Sequence, residues 1–191
     1  MLRKIIEWDK ELFLYLNSKH ISWLDPAMLF FSSYLCWILV CLLMATIIYF
    51  RLEVWRKTTT LFFLLSIGVS ALLTNIIKLI VERPRPIHNQ DWIDTIHAIE
   101  KYSSSTSFFS SHSATTFTMA IFFLLVFRKS TLKIYGYLAI IWATIVAYSR
   151  IYLAKHYPFD VLCGILFGIT IGIVGYKLLE YYTRRKTELK P

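Results

Sequence analysis

Charged residues are scarce in this 191-residue chain: they make up 17% of it, and only 12 of them are acidic. The 21 Lys and Arg residues outnumber the acids and give a formal net charge of +9. Such a balance is found in proteins that bind nucleic acid or anionic lipid, and in the flanks of membrane helices. Because no Lys/Arg-rich tract lies on a polar face, we expect no nucleic-acid partner.

Cysteine is also scarce, and its positions exclude two classes of protein. Cys36, Cys41 and Cys163 lie inside apolar blocks and lack metal-ligand spacing, which indicates neither a disulfide framework nor a metal site. The N-terminus lacks the features of a cleavable signal peptide, because charged residues interrupt its apolar residues and no small-residue cleavage site follows.

Long apolar blocks dominate what is present. Hydrophobic residues form 57% of the chain, and the mean hydropathy is +0.54. A helix needs about 20 apolar residues to cross the hydrocarbon core of a bilayer. Five blocks predict membrane helices, at residues 28–50, 59–81, 111–127, 134–153 and 158–178. We therefore expect an all-α, polytopic membrane bundle in which residues 1–191 form one domain.

Two further segments accompany the bundle. Residues 3–17 place Ile5, Trp8 and Leu12 on one helical face with charged residues elsewhere, which predicts an amphipathic helix lying in the membrane interface. Residues 82–109 form a long polar loop. Loops 51–57 and 128–133 and the C-terminal tail lie on one side of the membrane, and that side has eleven cations. The other side has ten cations, but three of these are assigned below to the chemistry of the site. This margin predicts an inside C-terminus and an external loop.

The first polar cluster is KLIVERPRP. Lys78 ends an apolar run, and Pro84 and Pro86 hold the following chain extended so that Arg85 returns over the helix end. An ammonium and a guanidinium together suit a phosphate oxyanion. The alternative is that Lys78 only extends to the membrane interface.

The second cluster is FFSSHSATT. Ser110 and Ser111 are good N-cap residues, and the free N–H groups of the following helix would point at a bound phosphate, with His112 in the first turn. The alternative is an ordinary helix cap with an incidental histidine.

The third cluster is SRIYLAKHYPFD. His156 and Asp160 stand four residues apart across a helix start marked by Pro158, so the carboxylate could accept a hydrogen bond from the imidazole and leave its other nitrogen free as a nucleophile. A surface helix pair is the alternative, but it does not explain Arg150, six residues before His156.

Together these clusters read K-x6-RP, S-x-H and SR-x5-H-x3-D, an order that resembles the type-2 phosphatidic acid phosphatase superfamily. The resemblance covers the motifs between Lys78 and Asp160 and extends to the helix pattern of small bacterial members. It implies a cofactor-free, metal-independent lipid phosphatase with five membrane helices.

The resemblance also implies residue roles. His156 would be the nucleophile that forms a phosphohistidine, Asp160 its orienter and His112 the acid and base. The phosphate would be bound by Lys78, Arg85, Arg150, Ser110 and Ser111.

This chain departs from the family at two positions. Ser111 stands where the family usually has Gly, which restricts the backbone near the phosphate. Arg83 is an additional cation, for which we predict contact with a second phosphate, with a lipid head group or with the membrane surface. His20, His88 and His97 receive no role.

The implied substrate is a membrane lipid phosphate, with lipid A 1-phosphate or undecaprenyl diphosphate favoured. Loop residues Asp91, Trp92, Asp94 and Lys101 are the candidate selectors. The alternatives are a phosphatidylglycerophosphate or phosphatidate phosphatase, or a non-catalytic lipid-phosphate-binding protein. We expect a multi-pass protein of the bacterial inner membrane with its active site facing the periplasm.

Overall fold

The computed structural model describes residues 2–92, 95–100 and 105–188. Within those ranges the chain forms α-helices and short 3-10 turns but no strand, which confirms the all-helical prediction. The helices are α1 (Leu2–Asn17), α2 (Asp25–Ser32), α3 (Tyr34–Arg51), α4 (Arg56–Val81), α5 (Ser111–Phe127), α6 (Lys133–Tyr152) and α7 (Pro158–Glu188). The selector candidates Asp94 and Lys101 lie outside the described residues.

Four segments in the described part of the chain are long and apolar enough to cross a membrane. They are α3, α6, α7 and the segment Arg56–Trp92, which begins with α4. Helix α5 is apolar but has only 17 residues. The outer faces of the long helices expose large apolar side chains, among them Leu39, Leu72, Ile141 and Leu166. These faces are those expected to contact lipid. Helix α5 as a fifth span remains a prediction.

The predicted helix over residues 28–50 is wrong in one respect, because the chain breaks at Ser33. There the backbone is extended (φ −77°, ψ 149°), and the Ser33 hydroxyl accepts a hydrogen bond from the Cys36 N–H at 3.2 Å. Ser33 is therefore the N-cap of α3, a position that serine favours. Helix α2 ends immediately before it, so both helix ends meet at one point. Helix α7, in turn, continues to Glu188 rather than ending at residue 178.

Helix α5 forms the centre of the bundle and packs closely against α7. Three buried glycines of α7 face α5 or its N-cap: Gly164, Gly168 and Gly172. A fourth, Gly175, faces Ser66 of α4. A Cβ added at Gly168 would lie 2.9 Å from the Phe117 Cβ and closer still to the Ala114 carbonyl oxygen. Small residues allow helices to approach this closely within a membrane. The glycines of α7 therefore fix the position of α5, which carries His112.

Helix α1 docks on the bundle through a face that the sequence did not reveal. Ile5, Trp8 and Leu12 are exposed, whereas Phe13 and Asn17 are buried. The Asn17 amide donates to the Tyr152 carbonyl at 2.8 Å and accepts from the His97 N–H at 2.7 Å. This helix is thus joined both to α6 and to the loop that follows α4. Its place in the membrane interface remains a prediction.

Candidate active site

A polar cavity of about 820 Å³ lies where the ends of α2, α4 and α6 meet the starts of α3 and α5. Its size falls within the range of ligand-binding pockets. The structure brings six of the predicted site residues to this cavity: Lys78, Arg85, Ser111, His112, Arg150 and His156. The remaining lining residues are Ser32, Ser33, Tyr34, Trp37, Ala71, Asn75, Glu100, Ser105, Thr115 and Lys155.

Lys78 lies in the last turn of α4, and the following loop secures it. Its ammonium donates to the Thr106 carbonyl at 3.1 Å, and the Thr106 hydroxyl donates back to the Lys78 carbonyl at 3.1 Å. Glu82, in a left-handed conformation (φ 47°), ends the helix and turns the chain toward Arg85. The reciprocal bonds hold the ammonium at the cavity wall.

Arg85 is buried and held in place by its guanidinium. Its Nε and one terminal nitrogen donate to the carbonyl and the hydroxyl of Ser105, each at 2.8 Å. The other terminal nitrogen donates to the Lys155 carbonyl at 3.0 Å and lies 3.4 Å from Nε2 of His156. The guanidinium therefore stands beside the imidazole nitrogen that faces the cavity, where it can bind the oxygens of a phosphate under attack.

Arg150 and His156 are joined by the turn that ends α6. The backbone N–H groups of Lys155 and His156 both donate to the Arg150 carbonyl, at 2.9 and 3.1 Å. Ala154 permits this turn by adopting a left-handed conformation (φ 55°). The Arg150 side chain donates to the Ser32 hydroxyl at the end of α2, while its Nε is buried without a hydrogen-bond partner among the described residues. Arg150 thus retains one donor that no described residue uses.

His156 is almost completely buried, with 1% of its surface exposed. Its burial, together with the positive charges of Arg85, Arg150 and Lys78, holds the pKa of His156 well below its usual value. These surroundings therefore favour the neutral imidazole, the form in which a ring nitrogen can act as a nucleophile. Negative charge arriving with a phosphate would be stabilised by the cations that disfavour protonation of the ring.

Asp160 lies behind His156 and is more strongly bound than the sequence indicated. Its Oδ2 accepts from the Ser107 hydroxyl and from the Tyr157 N–H at 3.0 Å, and its Oδ1 accepts from Arg83 at 2.6 Å. Nδ1 of His156 lies 3.7 Å from Oδ2, which is longer than a hydrogen bond. The carboxylate is thus positioned beside the ring, but its hydrogen bonds in this structure go to other partners.

Arg83 differs in place from the predicted head-group contact. Its guanidinium bridges Asp160 and Asp9 of α1, at 2.6 and 2.7 Å, and lies 4.0 Å from the centre of the Tyr157 ring. The cation is engaged behind the histidine and does not line the cavity. These bonds hold Arg83 against the carboxylate that lies next to His156.

The three residues at the start of α5 have different surroundings. The Ser110 hydroxyl is buried and accepts from the N–H of Ser113 at 3.3 Å and from its hydroxyl at 2.9 Å, so it acts as the helix cap and does not line the cavity. Ser111 and His112 do line it. The His112 ring centre lies 5.4 Å from that of Tyr34. His112 therefore lies at the cavity wall against the first residue of α3, beside the break between α2 and α3.

Sequence reasoning missed several residues that support or line this site. Ser32 and Tyr34 come from the helix break, which apolar periodicity does not reveal. Ser107 binds Asp160 from within a loop that has no regular pattern. Asp9 was hidden among the charges of α1, although its spacing of four from Phe13 and eight from Asn17 places all three on one helical face. That spacing was the one available signal.

The described residues also bear on metal binding. Among residues 2–92, 95–100 and 105–188, no three His, Cys, Asp or Glu side chains are grouped so that they could hold a metal ion. The cavity instead presents cationic donors to an anion, with His156 and His112 at its wall. What these groups can supply is nucleophilic attack, proton transfer and electrostatic stabilisation.

Comparison with known proteins finds similar phosphatases. The lipid A 4'-phosphatase of Bacteroides thetaiotaomicron is 27% identical over an alignment covering 97% of this chain and 83% of that protein. Undecaprenyl-diphosphatase BcrC of Bacillus subtilis is 27% identical, covering 85% of this chain and 79% of that protein. Both relatives are named phosphatases.

The fold is likewise that of known membrane phosphatases. The crystal structure of the first transmembrane PAP2 type phosphatidylglycerolphosphate phosphatase from Bacillus subtilis matches with a TM-score of 0.73 at 21% identity, covering 98% of this chain and 90% of that one. The crystal structure of Aquifex aeolicus LpxE matches with a TM-score of 0.67 at 24% identity, covering 87% and 93%. A model of the PAP2 superfamily matches residues 59–184, and the chain belongs to that superfamily.

Proposed function

We propose that this protein is a metal-independent lipid phosphatase that works through a phosphohistidine on His156. The observation that carries the proposal is the placement of Nε2 of this histidine, 3.4 Å from Arg85 in a cavity that Lys78 and Arg150 also line. Three cations beside one neutral imidazole match the needs of phosphoryl transfer, in which charge spreads over the equatorial oxygens.

The first step transfers the phosphoryl group to the protein. Nε2 of His156 forms a bond to phosphorus, and the bond from phosphorus to the lipid oxygen breaks. His112 donates to that oxygen a proton taken up together with the phosphate, whose negative charge favours the imidazolium among the cations of the cavity. Lys78, Arg85 and Arg150 stabilise the negative charge on the transferred group. The lipid leaves with a hydroxyl, or with a shorter phosphate chain if it carried a diphosphate.

The second step regenerates the histidine. His112, now unprotonated, accepts a proton from water as the water oxygen attacks phosphorus and the phosphorus–nitrogen bond breaks. Inorganic phosphate leaves and His156 returns to its neutral form. Asp160, fixed by Ser107, Arg83 and the Tyr157 N–H, holds negative charge near the ring throughout.

The substrate that we favour is a phosphate of lipid A or undecaprenyl diphosphate. The support comes from the activities for which two relatives that align with most of this chain are named. We further propose that the protein lies in the bacterial inner membrane with the cavity on its periplasmic face, as the distribution of Lys and Arg in the loops favours.

Phosphate release by purified protein in detergent tests the proposal. The panel would contain lipid A, undecaprenyl diphosphate, phosphatidylglycerophosphate and phosphatidate, each with and without EDTA. We expect release from at least one lipid, unaffected by EDTA, and a loss of roughly a thousandfold or more in His156→Ala. His88→Ala, which changes an exposed histidine outside the cavity, is the matched control.

Trapping of the intermediate separates an enzyme from a lipid-phosphate-binding protein. With undecaprenyl diphosphate labelled in its terminal phosphate, His112→Ala should accumulate an acid-labile labelled protein, because the leaving lipid phosphate depends little on a proton donor while the group that activates water is missing. His156→Ala should accumulate none. Unchanged phosphate release in His156→Ala would overturn the catalytic assignment.

A further inference from the structure

The cavity contains one more cation than the proposed mechanism uses. Besides Lys78, Arg85 and Arg150, it is lined by Lys155, of which only 4% of the surface is exposed. The Lys155 ammonium donates to the Glu100 carbonyl at 3.0 Å and lies 3.3 Å from the Glu100 carboxylate. A buried ammonium is costly unless it is paired, so this position is built to hold an anion.

The backbone of Lys155 lies beside the phosphate site, and its side chain lines the same cavity. Its carbonyl accepts from Arg85 and its N–H donates to the Arg150 carbonyl, at 3.0 and 2.9 Å. It immediately precedes His156 in the chain. Burial lowers the pKa of Lys155, and although Glu100 opposes that shift, Arg150 and Arg85 add to it, as expected of a cation placed beside the same two guanidinium groups.

Glu100 is an unusual neighbour for this ammonium. Among the described residues that line the cavity it is the one acidic side chain, and a carboxylate repels an incoming phosphate. Its side chain is 54% exposed, whereas that of Lys155 is 5% exposed. Glu100 can therefore move into water at little cost, but Lys155 cannot lose an anionic partner cheaply. Exchange of Glu100 for another anion satisfies both residues.

We propose that Lys155 is a second anion-binding position of the cavity, held by Glu100 until the inner phosphate of a lipid diphosphate replaces that carboxylate. This inference rests on the proposed function and narrows its substrate class. The two phosphates of a diphosphate share one bridging oxygen, so a terminal phosphate at His156 places the inner one next to residue 155. A lipid monophosphate has no inner phosphate, so the ion pair between Lys155 and Glu100 stays intact.

The same contact acts during cleavage. Nε2 of His156 bonds to the terminal phosphorus, and the bond between that phosphorus and the bridging oxygen breaks. The bridging oxygen remains on the inner phosphate and takes its proton from His112, and Lys155 stabilises the remaining negative charge of that leaving group. The product is a lipid monophosphate. When it dissociates from Lys155, the ion pair between Lys155 and Glu100 forms again.

Kinetics with farnesyl diphosphate and farnesyl monophosphate test the proposal, because the two substrates share one hydrocarbon chain. We expect Lys155→Met to lower kcat/KM for the diphosphate by about tenfold or more, the value of a charge-assisted contact, and to change the monophosphate value by less than about threefold. Lys155→Arg should keep most of the preference for the diphosphate over the monophosphate. Glu100→Gln, which weakens the competing partner, should lower KM for the diphosphate alone.

Binding of two soluble probes provides a readout that does not need turnover. In the wild-type protein, methylenediphosphonate should bind more tightly than methylphosphonate, and Lys155→Met should abolish that difference. Lys129→Met, an exposed lysine outside the cavity, should keep it. Equal binding of the two probes by the wild-type protein, or equal losses on both farnesyl substrates, would overturn the second position.

The two proposals fail in different ways. If the wild-type protein releases phosphate from no lipid, the proposed function is wrong, but the phosphonate probes still decide whether Lys155 binds a second anion. If Lys155→Met does not fold, as judged by its thermal unfolding, Glu100→Gln carries the test, and an unchanged KM for farnesyl diphosphate in that variant would contradict the exchange.

Discussion

Asp9 and Arg83 form an ion pair of 2.7 Å that connects the N-terminal helix to the candidate nucleophile. The other terminal nitrogen of Arg83 binds Asp160 beside His156 at 2.6 Å. The second oxygen of Asp9 accepts the Phe159 N–H at 2.8 Å, and so satisfies a free donor in the first turn of α7. Helix α1 is therefore part of the support of the active site as well as a candidate membrane anchor.

The first prediction concerns this support. Asp9→Asn leaves Arg83 with one carboxylate partner and weakens its hold on Asp160, so we expect kcat to fall by about tenfold and stability to fall by about 1–3 kcal/mol. KM should change little, because Asp9 does not line the cavity. Steady-state kinetics and thermal unfolding measure the two effects.

Glu11→Gln is the matched control for Asp9→Asn. It removes an acidic charge from the exposed face of the same helix and should leave both kcat and the unfolding temperature close to wild type. Equal effects of the two variants would mean that the charge of α1 matters and the contact with Arg83 does not. A rise in KM without a fall in kcat would place Asp9 in substrate binding instead.

The contact between α5 and α7 gives the second prediction. Gly168→Ala would place a methyl group against the Ala114 carbonyl and the Phe117 side chain. Overpacking of this kind costs about 1–3 kcal/mol, and the helices can relieve it only by separating, which moves His112. We expect a lower unfolding temperature together with lower activity.

Gly68 in α4 provides a control with the same chemical change. A Cβ there would have nothing within 4 Å. Alanine should therefore stabilise the helix by about 0.5–1 kcal/mol, the usual gain over glycine, and leave activity intact. If Gly168→Ala behaved like Gly68→Ala, the close approach of α5 and α7 would not matter for the site.

The site was more predictable from sequence than its supports were. Charged and polar residues at the ends of apolar runs are costly in a membrane, so their presence indicates a function. This applies to Lys78, Arg85, Arg150 and His156, whose spacing indicated a phosphate site. Ser107 carries no such signal, because a serine in a polar loop is unremarkable until the fold places it against Asp160. The third motif assigns no role to Lys155, which is one of the five residues between Arg150 and His156, although Lys155 lines the cavity.

The helices that local sequence features determine were predicted, whereas a helix break that depends on tertiary contacts was not. The segment predicted at residues 59–81 corresponds to α4 and the one at 111–127 to α5, because continuous apolar runs and a serine cap are local features. The break at Ser33 was missed because hydropathy does not change there. Its cause is tertiary, since Ser32 binds Arg150 of α6 and Ser33 caps α3.

Membrane orientation is the third prediction. Gln90 is exposed near the cavity side and Lys129 is exposed in the loop between α5 and α6. After replacement of the three native cysteines, Gln90→Cys should react with a membrane-impermeant maleimide in intact cells. Lys129→Cys should react only after permeabilisation. The reverse pattern would place the cavity on the cytoplasmic side.

The fourth prediction concerns protonation of His156. Burial and the charges of Arg85, Arg150 and Lys78 disfavour the imidazolium, so the pKa of His156 lies well below its usual value. Neutral His156 therefore stabilises the fold at pH values above about 6.5, the pKa of an unfolded histidine. That contribution is lost as the pH falls from there toward the lowered pKa of the folded protein. NMR of ¹⁵N-labelled histidine should show a neutral ring at pH 6.5.

Inorganic phosphate should shift that titration in the opposite direction. A bound anion offsets the positive charge of the cavity and favours the imidazolium, so the pKa of His156 should rise when phosphate is added. The signal is assigned by its loss in His156→Gln. If the ring in the ligand-free protein titrated at or above pH 6.5, the surrounding cations would not be suppressing its protonation. The acid limb of kcat/KM would then reflect His156, rather than the substrate phosphate or His112.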